Sequence, residues 1–140
     1  MTTPTTLAEY PGVLFYKPET SNISPEAKIG KGTVIHSHVT IMDGVVIGKN
    51  CKIQGYVYIP PGVTIGDDVF IGPGTVFTND RQMDGGRQGT VVENFVKIGA
   101  HCTILPVEIV EGAMIGAHSL VNRDVVEPTI WFGVPARKQL

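Results

Sequence analysis

The sequence predicts an all-β protein that winds as a parallel solenoid, and three regularities at one spacing predict it. Apolar residues recur every six positions, a period that fits neither an α-helix nor a plain strand and therefore describes a larger repeat. Small or β-branched residues precede these anchors by two positions, and residues that tolerate a positive φ follow them by three. The anchors are Ile23, Ile29, Ile35, Ile41, Ile47, Ile53, Ile59, Ile65, Ile71 and Phe77.

Each six-residue unit is predicted to contain one short strand with two inward side chains. Positions two apart lie on the same side of a strand, so the residue two before each anchor shares the interior with it. β-branched side chains suit such a pleated, packed surface. The residues in this second inward slot are Ala27, Thr33, Val39, Val45, Cys51, Val57, Val63, Val69 and Thr75.

The remaining positions of the unit predict a regular corner. Three residues after the anchors lie Glu26, Gly32, His38, Gly44, Asn50, Tyr56, Gly62, Asp68 and Gly74. Seven of these nine are Gly, Asn, Asp or His, the residue types that best tolerate a positive φ. Short strands joined by one corner per unit stack as the rungs of a solenoid, with three strands in each turn.

The rhythm stops after Phe77 and returns later in the chain. It resumes at Val92, Ile98 and Ile104, and it continues with Ile109, Ile115 and Val121. The step from Ile104 to Ile109 is five residues rather than six, which predicts a shortened corner there. Sixteen anchors at three per turn predict about five turns.

Two segments lie outside the repeat. Residues 78–91 form a polar, glycine-rich interruption, and such a loop on a rigid scaffold is usually functional or disordered. We interpret it as functional. Residues 1–22 carry no repeat and are expected to cap the first open rung. The prediction is therefore a cap over 1–22 and one β-helix domain over 23–140, with a protruding loop at about 78–91.

Composition narrows the classes of function. Of 140 residues, 42% are hydrophobic and 17% charged, which is sufficient for one continuous core. A net charge of −2 leaves no basic surface for nucleic acid. No apolar run approaches the roughly 18 residues that span a bilayer, and no charged-then-apolar leader opens the chain. We therefore expect no membrane partner and a cytoplasmic location.

The repeat also places the reactive residue types. Cys51 and Cys102 occupy the second inward slot, which predicts buried, inert thiols rather than a nucleophile or a disulfide. His38, His101 and His118 occupy the corner slot, and the last two lie one turn apart, where their rings could stack. A zinc site needs a third ligand and an open position. We therefore predict no metal and consider His101 or His118 as a proton-transfer group.

Several stretches resemble the left-handed β-helix acyltransferases with hexapeptide repeats. The units Ile47–Lys52 and Ile65–Phe70 are similar to that family's repeat, and the resemblance runs from about Ile23 to Arg137. The left hand of the coil is implied by this resemblance alone, because crossover connections normally run right-handed.

Other stretches resemble one subgroup, the N-acetyltransferases of nucleotide-linked amino sugars. Val76–Asp80 is similar to the segment that opens their active-site loop, and Ile98–Pro106 resembles the rung after it. Ile115–Ser119, Asn122–Val125 and Gly133–Arg137 resemble the C-terminal end of that group.

The resemblance implies an activity, a cofactor and an assembly. Members of this group form trimers with acetyl-CoA in the groove between neighbouring subunits. We therefore expect a homotrimer that transfers an acetyl group from acetyl-CoA to the amino group of a nucleotide-linked amino sugar. The residues expected to bind the cofactor are Gly99, Ala100, Ala117, Asn122, Arg123, Arg137 and Lys138. The first three would line the pantetheine arm, and the last four would lie toward the nucleotide end, where Arg and Lys match phosphate charge.

Asn79, Asp80 and His101 are the expected catalytic residues. Many relatives have a His near the position of Asn79, and a sugar hydroxyl needs such a general base. An amine with a pKa near ~8 is already partly neutral at pH 7, so Asn79 favours an amino acceptor. The Asn79 carbonyl would orient the attacking nitrogen, backbone N–H groups near the loop would stabilise the oxyanion, and Asp80 or His101 would receive the released proton.

The sequence departs from the subgroup and leaves alternatives open. The Pro-Arg pair that often follows the loop Asn is absent, since Arg81–Gly86 follows here, and Val107 replaces a usual Gly. An O-acetyltransferase with His101 or His118 as base, a γ-class carbonic anhydrase and a non-catalytic scaffold remain alternatives. The three-His spacing of the carbonic anhydrase is missing. The acceptor sugar, its nucleotide, the position acetylated and the order of the free loop stay open.

Overall fold

Three β-sheets make up the fold, and the chain winds through them as one triangular coil. The computed structural model describes residues 3–139. Its strands are β1 (Thr5–Leu7), β2 (Tyr10–Phe15), β3 (Asn22–Ile23), β4 (Lys28–Ile29), β5 (Val34–Ile35), β6 (Thr40–Ile41), β7 (Val46–Ile47), β8 (Lys52–Ile53), β9 (Tyr58–Ile59), β10 (Val63–Ile65), β11 (Phe70–Ile71), β12 (Val76–Phe77), β13 (Thr90–Val92), β14 (Lys97–Ile98), β15 (Thr103–Ile104), β16 (Glu108–Ile109), β17 (Met114–Ile115), β18 (Leu120–Val121), β19 (Ile130–Gly133) and β20 (Ala136–Lys138). A 3-10 helix, Pro18–Thr20, separates β2 from β3. Within this range, every helix is too short to cross a membrane.

Strands that are one turn apart pair side by side, as the six-residue period predicts. The first sheet has the order β1-β2-β5-β8-β11-β14-β17-β19-β20, the second β18-β15-β12-β9-β6-β3 and the third β16-β13-β10-β7-β4. Among the strands described within residues 3–139, neighbours pair in parallel except at the two ends of the first sheet, where β1 pairs antiparallel with β2 and β20 antiparallel with β19. The predicted parallel solenoid is confirmed.

The two inward slots of each unit form the core. Successive anchors of the first sheet, Ile35, Ile53 and Ile71, are fully buried and stack in register on neighbouring rungs. Between the inward slots, the outward residues Lys52 and Phe70 are exposed. Rungs repeat at about 4.8 Å, so each anchor packs on the one above and the one below along the whole coil.

The corners adopt the predicted conformation. Eight of the nine predicted corner residues have a positive φ, and only Glu26 does not. We call the three rows of corners the histidine corner (first to second sheet, with His38, His101 and His118), the loop corner (second to third sheet) and the third corner (third to first sheet). Even Tyr56 on the histidine corner has a φ of 62°, which shows that the stacked rungs impose the bend on a residue that disfavours it.

The coil is longer than the anchors indicate. Phe15 of β2 lies in register with Ile35, and Trp131 of β19 lies in register with Ile115. Both aromatic side chains are buried. The first sheet therefore has seven parallel rungs, because aromatic anchors extend the stack beyond the strict spacing. The segment 1–22 thus supplies a rung, β2, as well as β1, which covers the edge of that rung.

One inward threonine lacks the hydrogen bonds of its counterparts. The Thr75 hydroxyl donates to the Gly99 carbonyl at 2.9 Å and accepts from the Cys102 N–H at 3.3 Å. The Thr90 Oγ1 atom is buried and has no partner within residues 3–139. By the repeat, its acceptor would be the carbonyl of Leu105, which lies in the corner that is one residue short.

Replacing these two threonines with valine should have opposite effects. Thr90→Val removes an unsatisfied buried hydroxyl at constant shape and should raise the free energy of unfolding by about 1 kcal/mol. Thr75→Val leaves the Cys102 N–H unpaired and should lower the free energy of unfolding by roughly 1–3 kcal/mol. Thermal unfolding at one protein concentration would measure both, and equal destabilisation by the two substitutions would contradict the interpretation.

Candidate active site

The protruding loop leaves the coil at the loop corner, between β12 and β13. It comprises residues 78–89, because Thr90 and Val91, expected in the loop, already belong to β13. Its two ends are joined by a backbone hydrogen bond of 2.6 Å from the Gln88 N–H to the Asn79 carbonyl. The Arg81 N–H donates to the Gln88 side-chain Oε1 at 3.2 Å. These contacts hold the two ends of the loop together.

Asp80 organises the turn at the tip of this loop. Its carboxylate accepts hydrogen bonds from the backbone N–H of Asp84 at 3.2 Å and of Gly85 at 2.6 Å. Desolvation alone would raise the pKa of Asp80, but the hydrogen bonds from Gly85, Asp84 and Met83 outweigh it and hold the pKa below the ordinary 3.8. A carboxylate with a lowered pKa and occupied oxygens is a poor proton acceptor. The geometry favours a structural role for Asp80.

The order of the loop tip should depend on the charge of Asp80. Because the pKa of the folded state is lowered, the stabilisation is present above pH 3.8 and is lost as the pH falls through the lower folded-state value. We expect the hydrogen-exchange protection factor of the Gly85 amide to fall only in strong acid. In Asp80→Asn that amide should be less protected at neutral pH, and its protection should not change with acid; identical profiles in both proteins would refute the role.

Arg81 ties the loop to the rungs below it. Its guanidinium donates from Nη1 to the Asn122 carbonyl at 3.1 Å and from Nη2 to the Pro106 carbonyl at 3.0 Å. Both carbonyls belong to the loop corner, in the next two rungs. The planar guanidinium of an arginine presents two donors in fixed positions to two such acceptors, whereas a lysine presents one compact ammonium group on a flexible stem.

Asn79 lies at the base of the loop with a fixed amide orientation. It is half-buried, and its Nδ2 donates to the Pro61 carbonyl of the preceding rung at 2.9 Å. Because the amide nitrogen faces Pro61, the Oδ1 atom must face the other way. Within residues 3–139 no donor occupies Oδ1, so this oxygen can accept a hydrogen bond from a ligand.

His101 lies on the histidine corner, not beside Asn79. Its ring is exposed and stacks on that of His118, with centroids 5.4 Å apart and planes inclined by 20°, as predicted. The ring also lies over Gly74, where an added Cβ would come within 2.5 Å of His101 Nδ1. A side chain at position 74 would therefore displace the imidazole.

The predicted pantetheine residues lie on the same corner. A shallow cavity of about 340 Å³ is lined by Gly99, Gly116 and Ala117 from the corner and by Phe70 and Met114 from the first sheet. Ala100 lies between Gly99 and His101, outside this lining. The missing side chain of Gly99 has a structural reason, since a Cβ there would lie 2.7 Å from the Ala117 nitrogen of the next rung.

The four residues expected at the nucleotide end lie at the C-terminal end of the coil. Arg137 donates from Nη1 to Asn122 Oδ1 at 3.2 Å, and Lys138 pairs with Glu127. Arg123 is exposed on the loop corner. Asn122 therefore receives Arg137 on its side chain and Arg81 on its carbonyl, which connects the loop with the last strand.

One chain does not bring the catalytic candidates together. Asn79 and Asp80 lie on the loop corner, and His101 lies on the histidine corner, with the second sheet between them. Four residues of strand separate these corners, or about 13 Å at the ordinary rise. That distance excludes direct proton transfer between a substrate held by Asn79 and His101 of the same chain.

The two cysteines do not contribute to either corner. Both thiols are buried and free, as predicted. Desolvation raises the pKa of Cys51 and of Cys102 above 9.0 despite hydrogen bonds that lower it. Thiols of this kind are poor nucleophiles. Within residues 3–139 no three His, Cys, Asp or Glu side chains converge as metal ligands.

Sequence reasoning did not identify the tether of Arg81 or the cavity residues Phe70 and Met114. Phe70 and Met114 could have been identified from the sequence, because each occupies the outward slot, one position before an anchor. A large apolar side chain in that slot cannot reach the core and must face solvent or a ligand.

Part of the chain matches the model of a known repeat family. The family "Bacterial transferase hexapeptide (six repeats)" matches residues 26–60 and 44–79. The left-handed β-helix implied by the resemblance agrees with this repeat and with the three-sided parallel coil. No curated protein matches the sequence.

Solved structures match the coil over nearly its whole length. The acetyltransferase domain of PglB from Neisseria gonorrhoeae in complex with acetyl coenzyme A is 19% identical with a TM-score of 0.80, covering 91% of this chain and 58% of that one. A variant of perosamine N-acetyltransferase from Caulobacter crescentus, in complex with CoA and GDP-perosamine, is 21% identical with a TM-score of 0.80, covering 91% and 56%. AntD, an N-acyltransferase from Bacillus cereus in complex with dTDP and 3-hydroxybutyryl-CoA, is 26% identical with a TM-score of 0.83, covering 92% and 79%. The chain therefore spans less than two thirds of the Neisseria and Caulobacter structures.

Proposed function

Because this chain carries the hexapeptide repeat of the bacterial transferases, we propose that it is an acyl-CoA-dependent N-acyltransferase. Its donor is acetyl-CoA, and its acceptor is the amino group of a nucleotide-linked amino sugar. The observation that carries the proposal is the ordered loop that presents the free Oδ1 of Asn79 on a coil of this family. The structural neighbours that bind CoA and a nucleotide or nucleotide sugar support it.

The proposed reaction requires no general base to activate the nucleophile, because the attacking amine is already neutral. A neutral amine hydrogen-bonded to Asn79 Oδ1 attacks the thioester carbonyl carbon, the C–S bond breaks and the CoA thiolate leaves. Backbone N–H groups near the loop stabilise the oxyanion. The amine proton passes to water or to an imidazole. Asp80 is less suited to that step than His101, because its oxygens already accept the loop amides.

Assembly of the site requires more than one copy of the chain. Asn79 and the cavity that would hold pantetheine lie on different corners of one coil. In the homotrimer that we propose, the loop corner of one copy would lie against the histidine corner of the next and would bring Asn79 to the His101 and Ala117 of a neighbour. The mass of the assembly in sedimentation should therefore be three times that of the chain under assay conditions.

Acyl transfer by the purified protein tests the proposal directly. Acetyl-CoA is mixed with a panel of nucleotide-linked amino sugars, and the same nucleotides with hydroxyl sugars serve as controls. A thiol reagent detects CoA release without interference, because Cys51 and Cys102 are buried. Release that depends on an amino sugar, with an N-acetylated product by mass spectrometry, is expected. Failure of every amino sugar with acetyl-CoA and with 3-hydroxybutyryl-CoA would refute it.

The stacked pair of His101 and His118 favours one second candidate, an O-acetyltransferase. An exposed imidazole could act as the base that a hydroxyl acceptor needs. In that case hydroxyl sugars would be the substrates, and His101→Asn or His118→Asn would abolish their acetylation. An amine acceptor predicts little change in either variant once the amine is deprotonated.

A further inference from the structure

An outward groove runs along the first sheet, next to the cavity at the histidine corner. A second cavity of about 530 Å³ is lined by Asn50, Lys52, Asp68, Phe70 and Lys97. It shares Phe70 and Lys97 with the cavity at the histidine corner. The two cavities therefore form one groove with a largely apolar part near Met114 and a cationic part near Lys52.

Two lysines and a phenylalanine define the cationic part. Phe70 pairs in register with Lys52 on one side and with Lys97 on the other, so the three outward side chains stand in one column. Rungs repeat at about 4.8 Å, which places the two lysine Cα atoms roughly 10 Å apart, on either side of the ring.

Both lysines lack an anionic partner among residues 3–139. Within residues 3–139 no carboxylate lies within 4.0 Å of either ammonium group, and the one ion pair in this range joins Lys138 to Glu127. The groove residue Asp68 lies on the third corner without pairing with them. Two like charges in one column repel each other, so an anion between them would be stabilised by both.

We propose that Lys52 and Lys97 bind the phosphate groups of a substrate, with its less polar portion along Phe70 and toward Met114 and Gly116. Ammonium groups are compact cations that bind phosphate oxygens as point charges. This inference rests on the proposed function. It adds a phosphate site that is separate from the cationic residues at the C-terminal end, where Arg137 and Lys138 already have partners.

The phosphates have two sources with the same chemistry. One is the acyl donor, whose pantetheine arm would continue into the apolar part of the groove. The other is the diphosphate of the acceptor, whose base would contact Phe70. Titration with CoA, with pantetheine and with dTDP or GDP distinguishes the two, because pantetheine lacks phosphate and the nucleotides lack the pantetheine arm.

Calorimetric titration of Lys52→Ala and Lys97→Ala tests the site. The matched control is Lys28→Ala, an exposed outward lysine on the third sheet, and Lys52→Arg keeps the charge. We expect the affinity for CoA or for the nucleoside diphosphate to fall about tenfold in both alanine variants, which corresponds to roughly 1.4 kcal/mol. The affinity of the alanine variants for pantetheine should stay unchanged. The affinities of the Lys28→Ala control and the melting temperatures of all the variants should also stay unchanged. A loss with CoA assigns the site to the donor, and a loss with dTDP or GDP assigns it to the acceptor.

Three results overturn the inference. They are affinities within about twofold of wild type for every phosphate ligand, no phosphate binding by the wild type, or a changed oligomeric state with unchanged affinity. Acyl transfer by the wild type with unaltered KM in both variants would retain the proposed function and reject the phosphate site. Phosphate binding that depends on the two lysines, without any acyl transfer, would retain the phosphate site and reject the proposed function.

Discussion

Replacing Asn79 with alanine is expected to lower kcat about a hundredfold while leaving the fold and the assembly unchanged. The substitution removes the oxygen that would orient the attacking amine, and loss of such positioning typically costs a factor of this size. It also removes the hydrogen bond to Pro61, which lies at the surface of the coil and contributes little to its stability. Steady-state kinetics with the best acceptor from the screen would measure the effect.

Two further variants sharpen this test. Asn79→Asp keeps an oxygen acceptor but sets a carboxylate against the Pro61 carbonyl, so it should retain more activity than alanine and less than wild type. Gln82→Ala, on the exposed part of the same loop, should behave as wild type. Kinetics of Asn79→Ala that match wild type would remove Asn79 from the mechanism.

Replacing Arg81 with alanine should lower kcat by about tenfold to a hundredfold, although Arg81 is a positioning residue rather than a catalytic one. Its two hydrogen bonds hold the loop against Pro106 and Asn122. Without them the loop can shift, and a displacement of about 1 Å at Asn79 is sufficient for such a loss. The KM for the donor should change less than kcat, because the cavity at the histidine corner does not include Arg81.

The same loop offers a matched control. Arg87 is exposed, carries the same charge and makes no side-chain hydrogen bond within residues 3–139. Arg87→Ala should therefore retain wild-type kcat, and Arg81→Lys should fall between, since an ammonium group on a flexible stem holds the two carbonyls less firmly than the planar guanidinium does. Hydrogen exchange should show faster exchange of the Gln88 amide in Arg81→Ala only. If Arg81→Ala and Arg87→Ala behave alike, the loss reflects charge rather than position.

Most of the coil could be predicted because its packing is local and periodic. A residue such as Ile53 meets the equivalent residue of the next turn, so one interval in the sequence determines strand, corner and partner together. The same logic placed Cys51 inside and His118 on a corner. It failed where the six-residue interval is lost: Phe15 precedes Ile23 by eight residues, and Val125, which bridges to Ile109, follows Val121 by four.

The candidate site was less predictable because its contacts cross between distant segments. The type of residue at Asn79 and Asp80 indicated a reactive loop, but only the hydrogen bonds distinguish a free amide oxygen from an occupied carboxylate. The contact of Arg81 with Asn122 spans 41 positions, and no local pattern in the sequence predicts it.

The amino-acid sequence by itself determined the three-sided coil, its corners and the position of the loop, since a repeated unit stacks on its own copies at one spacing. The tertiary structure alone decided that Asp80 is held by loop amides, that Arg81 anchors the loop and that Asn79 and His101 lie on different corners. These features depend on where the chain passes in space between successive turns. A site whose residues come from different corners can be recognised only from the three-dimensional structure.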